Sequence, residues 1–408
     1  MAAYRIAEIE LSEPLTSIAL SPEHDGIAVL ARWKGRLAGF HMARAAPGYA
    51  FSTDEIQALC ARRFGRRLLA LELEAALAQR WPVEEVSAPS LSIAICTKDR
   101  AERLTRLLNS LAPVIGVSRF RSIEVLVIDN ASIDSATRIA VAGFADVGYV
   151  FEPRAGLDFA RNAAVRYATG DLLAFLDDDV VVDRDWLEGL FAAWQGCPDA
   201  GGFTGLVLPY RLDTEAQIQF ELRGGFGRGF EPKTFHAASA DNPLHPVGAG
   251  VIGAGCNMAF DRSLLLSLGG FDEALDTGAP LPGGGDLDIF YRVLRSGRAM
   301  IYEPRYAVYH EHRETLPQLR RQYWTWGLGF MAFLAKSRRS DPALRHKQGA
   351  ILRWWLLDKV ADLGVAACCL RFRELGFLLA ELWGGVIGMA GEYDRSLQRV
   401  QKIREQAP

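Results

Sequence analysis

Residues 156–180 read GLDFARNAAVRYATGDLLAFLDDDV and hold both halves of an α/β argument. In the first half, Leu157, Ala160, Ala164, Val165 and Ala168 recur at helical spacing and form one apolar stripe. In the second half, the strand-length run DLLAFL (171–176) stops abruptly at Asp177, Asp178 and Asp179. Three adjacent carboxylates repel one another unless a cation or solvent neutralises them. At the end of an apolar strand solvent access is limited, so this spacing favours a cation site over an acidic turn capping a helix near Asp183. Hard divalent cations take carboxylate oxygens and keep substrate phosphates as further ligands.

The chain upstream repeats the same alternation. LSIAIC (91–96), IEVLVI (123–128) and VGYVF (147–151) are strand-like runs; Asp99 to Leu111, 133–142 and 157–168 are helical. Strands alternating with helices at this spacing predict a parallel α/β sheet with right-handed crossovers. Ligands of such sheets bind at the carboxyl ends of strands. That rule selects Thr97-Lys98-Asp99, Asp129-Asn130 and Asp177-Asp178-Asp179.

On either side the pattern changes. Residues 1–88 read as a small separate α+β module: a hairpin from Ile27 to Phe40, then a helix start at Ser52-Thr53-Asp54-Glu55 and two helical patterns ending near Gln79. Trp81 to Ser90, with Pro82 and Pro89, reads as a linker. Residues 201–260 are Gly-rich, with strands expected at GFTGLVLPY and GCNMAF. A helix is expected from Leu287 to Ser296, and the chain is helical after Pro317.

The 408 residues carry a net charge of −3, with 50% hydrophobic and 23% charged positions. This permits a large core and argues against a nucleic-acid partner. The six cysteines include no C-x-x-C pair and read as reduced thiols of a cytoplasmic protein. The N-terminus shows no signal-peptide pattern. The apolar stretch Gly376–Gly391 is broken by Glu381 and short for a membrane span. Arg353, Arg371 and Arg373 flank apolar helices, a pattern of interfacial segments at the inner face of a membrane, of helices packed on the catalytic part, or of a homo-oligomer contact.

Several further residues are candidates. Asp129 could accept hydrogen bonds from a ribose or base, or form an ordinary Asp/Asn turn. Lys98, Arg100, Arg154 and Arg161 could meet diphosphate oxygens. Asp286 and Asp288 follow Pro282-Gly283-Gly284-Gly285. One could be a general base or a helix N-cap, and since residues two apart on a helix diverge, Asp286, nearer the glycine loop, is favoured. His310 and His312 could complete a metal shell or be ordinary core histidines. Trp324 and Trp326 read as core residues, with stacking on a sugar ring as the other use. GAGVIG (248–253) matches G-x-G-x-x-G only formally, because a strand-like run rather than a helix follows it.

Taken together, SIAICTKDR, EVLVIDNAS, GLDFARNAAVRYATGDLLAFLDDDV, GAGCNMAFDRSLLLSLGGFDEAL, GGGDLDIFYR and VYHEHR resemble, in order and spacing, the family 2 inverting glycosyltransferases. The resemblance covers residues 90–335, about 60% of the chain. It implies a GT-A fold, a Rossmann-like mixed sheet flanked by helices. The expected domains are the module at 1–88, the catalytic domain at 89–335 and a helical C-terminal region at 336–408. It also implies a nucleotide-sugar donor (UDP-, GDP- or dTDP-linked), Mg²⁺ or Mn²⁺, and a glycan, lipid-linked or small-molecule acceptor. By resemblance Thr97 and Asp129 contact the base and ribose, and Arg161 and Asn162 lie beside the nucleotide. Asp178 is near the ribose. Asp179, with Asp177 and His310, holds metal, and Asp286 is the base. The family usually has Gly-Gly-Glu-Asp where this chain has Gly-Gly-Gly-Asp, so Gly285 replaces a Glu and leaves Asp286 or Asp288 as the acid. The rival readings are a polyprenyl-phosphate sugar synthase, a non-catalytic nucleotide-sugar-binding protein and a nucleotidyltransferase. The last would want a phosphate-gripping Gly-rich loop after the first strand, where CTKDRAERL has none.

Overall fold

The computed structural model describes residues 3–81, 87–238, 242–276, 278 and 281–406; half of the expected linker (82–86) lies outside them. The N-terminal module comprises β1 (Tyr4–Glu10), β2 (Ile18–Ala19), β3 (Gly26–Trp33), β4 (Arg36–Arg44), β5 (Ala50–Phe51) and α1 (Thr53–Arg80). β3 and β4 form the expected hairpin and β1 adds in parallel to β3. The two helical patterns form one helix, α1. Ser52 and Glu55 close a capping box at its start, and Gly65, in its middle, does not break it.

The alternating region then gives β6 (Ser90–Thr97), α2 (Ala101–Ile115), β7 (Ser122–Asn130), α3 (Ala136–Ala142), β8 (Val147–Glu152), α4 (Leu157–Tyr167) and β9 (Leu172–Asp177). Helix α2 starts two residues later than expected and runs on through Pro113; α3 starts at Ala136 because 132–135 form a turn. Then follow β10 (Val180–Val182), α5 (Trp186–Gly196), β11 (Gly202–Pro209), α6 (Glu215–Leu222), β12 (Lys233–Phe235), β13 (Asn257–Asp261) and α7 (Arg262–Ser267). The chain ends with α8 (Gly285–Arg295), β14 (Met300–His310), α9 (Leu316–Ser340), α10 (Arg345–Cys368), α11 (Phe372–Ile387) and α12 (Tyr393–Gln406).

The main sheet has the order β10-β14-β11-β13-β9-β6-β7-β8, with β12 also on β14. β9, β6, β7 and β8 are parallel, as expected; β13 runs antiparallel between β9 and β11, and β10 antiparallel to β14, so the sheet is mixed. Helices cover both faces over two apolar clusters. One holds Ile93, Leu107, Val127, Trp186 and Phe203, the other Phe175, Phe260, Phe290 and Met331.

Two local features bend the sheet where it matters. The register of β11 on β14 shifts between Gly205 and Val207, and a Cβ at Gly205 would overlap the Tyr306 carbonyl oxygen. Pro304, without an N–H, divides β14 between the part paired with β12 and the part paired with β10. The second part sets Val180 opposite His310, and the Glu311 N–H donates to the Asp179 carbonyl at 2.9 Å. This pairing brings the histidine to the aspartate cluster.

The module has its own core but also docks on the sheet. Leu30 and Leu37 pack with Leu206, Leu208, Tyr302 and Ala307, and Tyr4 and Ala28 with Leu212 and Ile218. At the other end α11 lies along α9 so closely that a Cβ at Gly384 would overlap the Trp324 carbonyl oxygen and one at Gly327 the Glu381 carbonyl oxygen. Glu381 does not interrupt this helix: it is buried, 3.4 Å from the Lys359 ammonium. Helix α11 continues through a kink at Ala390-Gly391 into α12. Phe372–Gln406 is therefore long and apolar enough to cross a membrane by length and composition, longer than the apolar stretch read from the sequence, with 39% of its apolar window buried.

Candidate active site

The carboxyl ends of β6 and β9 and the amino end of β10 meet the carboxyl end of β14, and the polar clusters selected from the sequence meet there. Asp178 accepts from the Thr97 hydroxyl at 2.8 Å and from Arg100 at 2.9 Å. Asp179 is 4% exposed, and its Oδ1 has no hydrogen-bond partner although His310 Nε2 stands 3.3 Å away. Its Oδ2 faces Arg100 at 3.8 Å and Arg313 at 3.9 Å. A buried carboxylate oxygen left unpaired is costly unless a ligand completes it.

His310 is held by a relay. Its Nδ1 is 3.0 Å from His312 Nδ1, and His312 Nε2 is 2.7 Å from Glu221 on α6. Burial, then the neighbours His312, Arg313 and Arg103, push the His310 pKa well below the ordinary imidazole value. Its ring is neutral at physiological pH, the state in which imidazole binds metals. Phe226 and Phe220 pack against these two rings, and Trp326, 37% exposed, packs on both phenylalanines. Trp324 belongs to the apolar contact between Leu281 and Leu328.

Among the described residues no three His, Cys, Asp or Glu side chains form a ready-made cage. Mg²⁺ and Mn²⁺ do not require one, since one or two carboxylates plus phosphates and water suffice for Mg²⁺. The unpaired Asp179 Oδ1 beside a neutral imidazole nitrogen fits such an ion. Asp177, behind it, is pushed up to about 7, by burial first and then by Asp179 and Asp178, against the opposing pull of Arg161. Its side chain is 34% exposed, so water screens this shift more than it does for deeper acids.

Beneath Asp177 lies an assembly that the sequence did not reveal. Arg161, 4% exposed, donates from Nη1 to Asp158 at 2.9 Å and to Asp276 at 3.5 Å, and its Nη2 stands 3.9 Å from Asp177. Burial works against its charge, but Asp158, Asp276 and Asp177 outweigh it and raise its pKa. Burial raises Asp158 to about 6 and Asp276 well above the carboxylate range. Asp158 lies one helical turn before Arg161, a pairing visible in the sequence; Asp276 comes from a distant loop and carried no signal.

Asp286 is half-buried in the first turn of α8, whose N-cap is Gly284 rather than Asp286. A Cβ at Gly255 would lie 3.2 Å from both Arg161 Nη2 and Asp286 Cβ, so the two side chains border the same glycine. Gly284 has φ +108°, and the loop packs backbone to backbone on α9: a Cβ at Gly329 would be 2.7 Å from the Gly283 carbonyl oxygen.

Other expected residues go elsewhere. Asp288, grouped with Asp286 as a catalytic acid, is 1% exposed and tied to Lys336 at 2.6 Å and Arg292 at 2.7 Å; it points away from Asp286, as helical spacing requires. Asn162, expected beside the nucleotide, pins α4 to the loop at Phe271 and Glu273 with both ends of its amide. Arg154 forms a two-nitrogen pair with Glu152. Asp129, 1% exposed, already accepts from Ser132 and, at 2.7 Å, from Tyr149. Lys98 is exposed beside Thr97. GAGVIG forms a short 3-10 turn before β13 with no helix behind it. A groove of 390 Å³ between the module and α6, lined by Phe40, Met42, Leu206, Leu208 and Phe230, shares only Glu221 with this site.

Residues 92–234 match the model of the family "Glycosyl transferase family 2". The succinoglycan biosynthesis protein ExoM of Rhizobium meliloti is 30% identical over 257 residues, 61% of this chain and 71% of that protein. This chain belongs to glycosyl transferase family 2. Within the family it also resembles the pre-mycofactocin glycosyltransferase of Mycobacterium tuberculosis, at 25% identity over 315 residues. That alignment takes in 76% of this chain but only 60% of the relative's length. A mannosyltransferase from Pyrobaculum calidifontis, solved with GDP-Man and Mn²⁺, is a distant structural likeness: 19% identity, TM-score 0.47, 81% of this chain and 97% of that one. As a family 2 chain, it carries the mixed GT-A type sheet with the aspartate cluster at the end of β9.

Proposed function

We propose that this family 2 chain transfers a sugar from a nucleotide-diphospho-sugar to an acceptor hydroxyl with inversion. The observation that carries the reading is the buried, unpaired Asp179 Oδ1 beside neutral His310, with Asp286 and Arg161 both bordering Gly255. Asp179, His310 and Asp177 would hold Mg²⁺ or Mn²⁺. A bound ion supplies Lewis-acid neutralisation of the departing diphosphate. The chain's residues do the rest. Thr97, Arg100 and Asp178 line the donor end. Asp286 takes the proton of the acceptor hydroxyl as that oxygen bonds to the anomeric carbon and the bond to the diphosphate breaks. UDP-, GDP- and dTDP-sugars are the donor classes.

The test is Asp286→Asn. Transfer should fall by at least about 100-fold, the usual contribution of a general base, while binding of UDP, GDP or dTDP with Mn²⁺ is kept. Loss of nucleotide binding along with activity would remove Asp286 from this role, and transfer at the wild-type rate would remove the mechanism.

Exposed apolar residues on α10 and α11 support contact with a membrane interface. Leu379, Trp383, Val386 and Met389 are exposed at helical spacing on and just beyond α11, and Trp354, Leu357 and Val360 on α10. Co-flotation with anionic phosphatidylglycerol vesicles tests this, and replacing Trp354 and Trp383 by Ser should abolish it. A protein that stays at the bottom of the gradient would reject the membrane reading and leave the glycosyl-transfer reading standing.

A further inference from the structure

Asp158 and Gly285 occupy one place. A Cβ built on Gly285 would overlap Asp158 Oδ2 and lie 2.9 Å from its Cγ. Asp158 has little room to move aside: its side chain is 0% exposed and its Oδ1 holds Arg161 at 2.9 Å. Its Oδ2 is buried with no hydrogen-bond partner. Both residues stand in the first turn of a helix, α4 and α8, so the carboxylate is placed between two N-termini, which offset part of the cost of burying its charge.

We propose that Asp158 is a positioning residue: its carboxylate, from α4, fills the side-chain space at Gly285, and with Asp276 it anchors Arg161 so that the guanidinium does not close on Asp177. The functional half of this role rests on the glycosyl-transfer reading. Arg161 Nη2 is already 3.9 Å from Asp177. With Nη1 released, attraction in a buried setting would draw the arginine onto Asp177, in competition with a cation. The arginine would then move from beside Asp286 as well.

Relocating the carboxylate separates this role from simple packing. Asp158→Ala should weaken Mn²⁺-dependent binding of the probe nucleotide by about tenfold or more, as loss of an orienting partner does. Gly285→Glu alone should lower the melting temperature, since the two side chains collide. The double variant Asp158→Ala/Gly285→Glu should recover both melting temperature and affinity. Asp158→Ala/Gly285→Ala, which restores volume without charge, should not recover affinity. The probe is whichever of UDP, GDP and dTDP wild type binds most tightly with Mn²⁺ by calorimetry. Equal affinity for the two double variants, or an Asp158→Ala/Gly285→Glu variant no better than Asp158→Ala, would overturn the proposal. If wild type binds none of the three nucleotides, the donor reading fails. The melting temperatures still decide the exchange: no recovery in Asp158→Ala/Gly285→Glu would overturn it.

Discussion

Arg32 of β3 and Asp183, the residue after β10, form an ion pair with both side chains out of solvent, 3% and 1% exposed. Tyr309, next to His310, joins them: Arg32 donates to its hydroxyl at 3.0 Å, and that hydroxyl donates to Asp183 at 2.8 Å. The N-terminal module is thereby fastened to the strand pair that carries Asp179 and His310. Replacing Arg32 by Met strands a buried carboxylate, which should cost about 3 kcal/mol of stability in urea unfolding. An unchanged midpoint would mean that the module is a passive attachment.

Within the histidine relay, His312 touches neither Asp179 nor any group proposed to meet substrate, yet it fixes the ring that does. His312→Ala should weaken Mn²⁺ binding by about 10–100-fold, as loss of an outer partner of a metal ligand does. Calorimetric titration with Mn²⁺ in the presence of UDP or GDP measures it, and Asp179→Asn, which removes a direct ligand, should lose at least as much.

Two glycines of α11 make opposite predictions for the same substitution. A Cβ at Gly376 meets nothing, so Gly376→Ala should gain up to about 1 kcal/mol from helix propensity. A Cβ at Gly384 collides with α9, so Gly384→Ala should lose about 1–3 kcal/mol despite that gain. Chemical denaturation of the pair measures both signs; a stabilising Gly384→Ala would mean that α9 and α11 stand further apart.

Glu10 contributes to the acid limb of stability in the module. Burial pushes its pKa up, but hydrogen bonds from Ser12, Gly35 and Lys34 outweigh this and bring it down to about 2. Its folded pKa lies below its ordinary value, so the folded state binds fewer protons. The stabilisation is fully present above the ordinary value of 4.5 and is lost as pH falls towards 2. Melting temperatures from pH 6 to pH 2 should fall more steeply for wild type than for Glu10→Gln.

Local pattern explains what was legible in the sequence. LSIAIC, IEVLVI and DLLAFL are apolar runs that fit buried strands, and the carboxyl-end rule places Thr97 and Asp177–Asp179 correctly at one edge. Helical periodicity alone separates Asp286 from Asp288. What escapes depends on contacts distant in the chain. Asp276 reaches Arg161 across 115 positions, and Arg32 reaches Asp183 across 151. Asn162 reads as a nucleotide neighbour because its motif is shared, while its amide serves a loop 109 positions away. The α1 helix reads as two patterns, yet the capping box ahead of it starts a single helix that passes through Gly65.

The contact of Gly283 and Gly284 with Gly329 reaches beyond local geometry. The three glycines that precede Asp286 have no side chains to grip with, so their placement is set by backbone contact with α9 and by Leu281 packed on Leu328, and α9 in turn is seated by α11 through Gly327 and Gly384. A shortened chain ending near residue 335 would keep every proposed catalytic group yet lose the scaffold that aims one of them. The helices after α9 therefore cannot be exchanged independently of these close-packed glycines, and a graft of a foreign tail would have to carry its own seat for α9 and that loop.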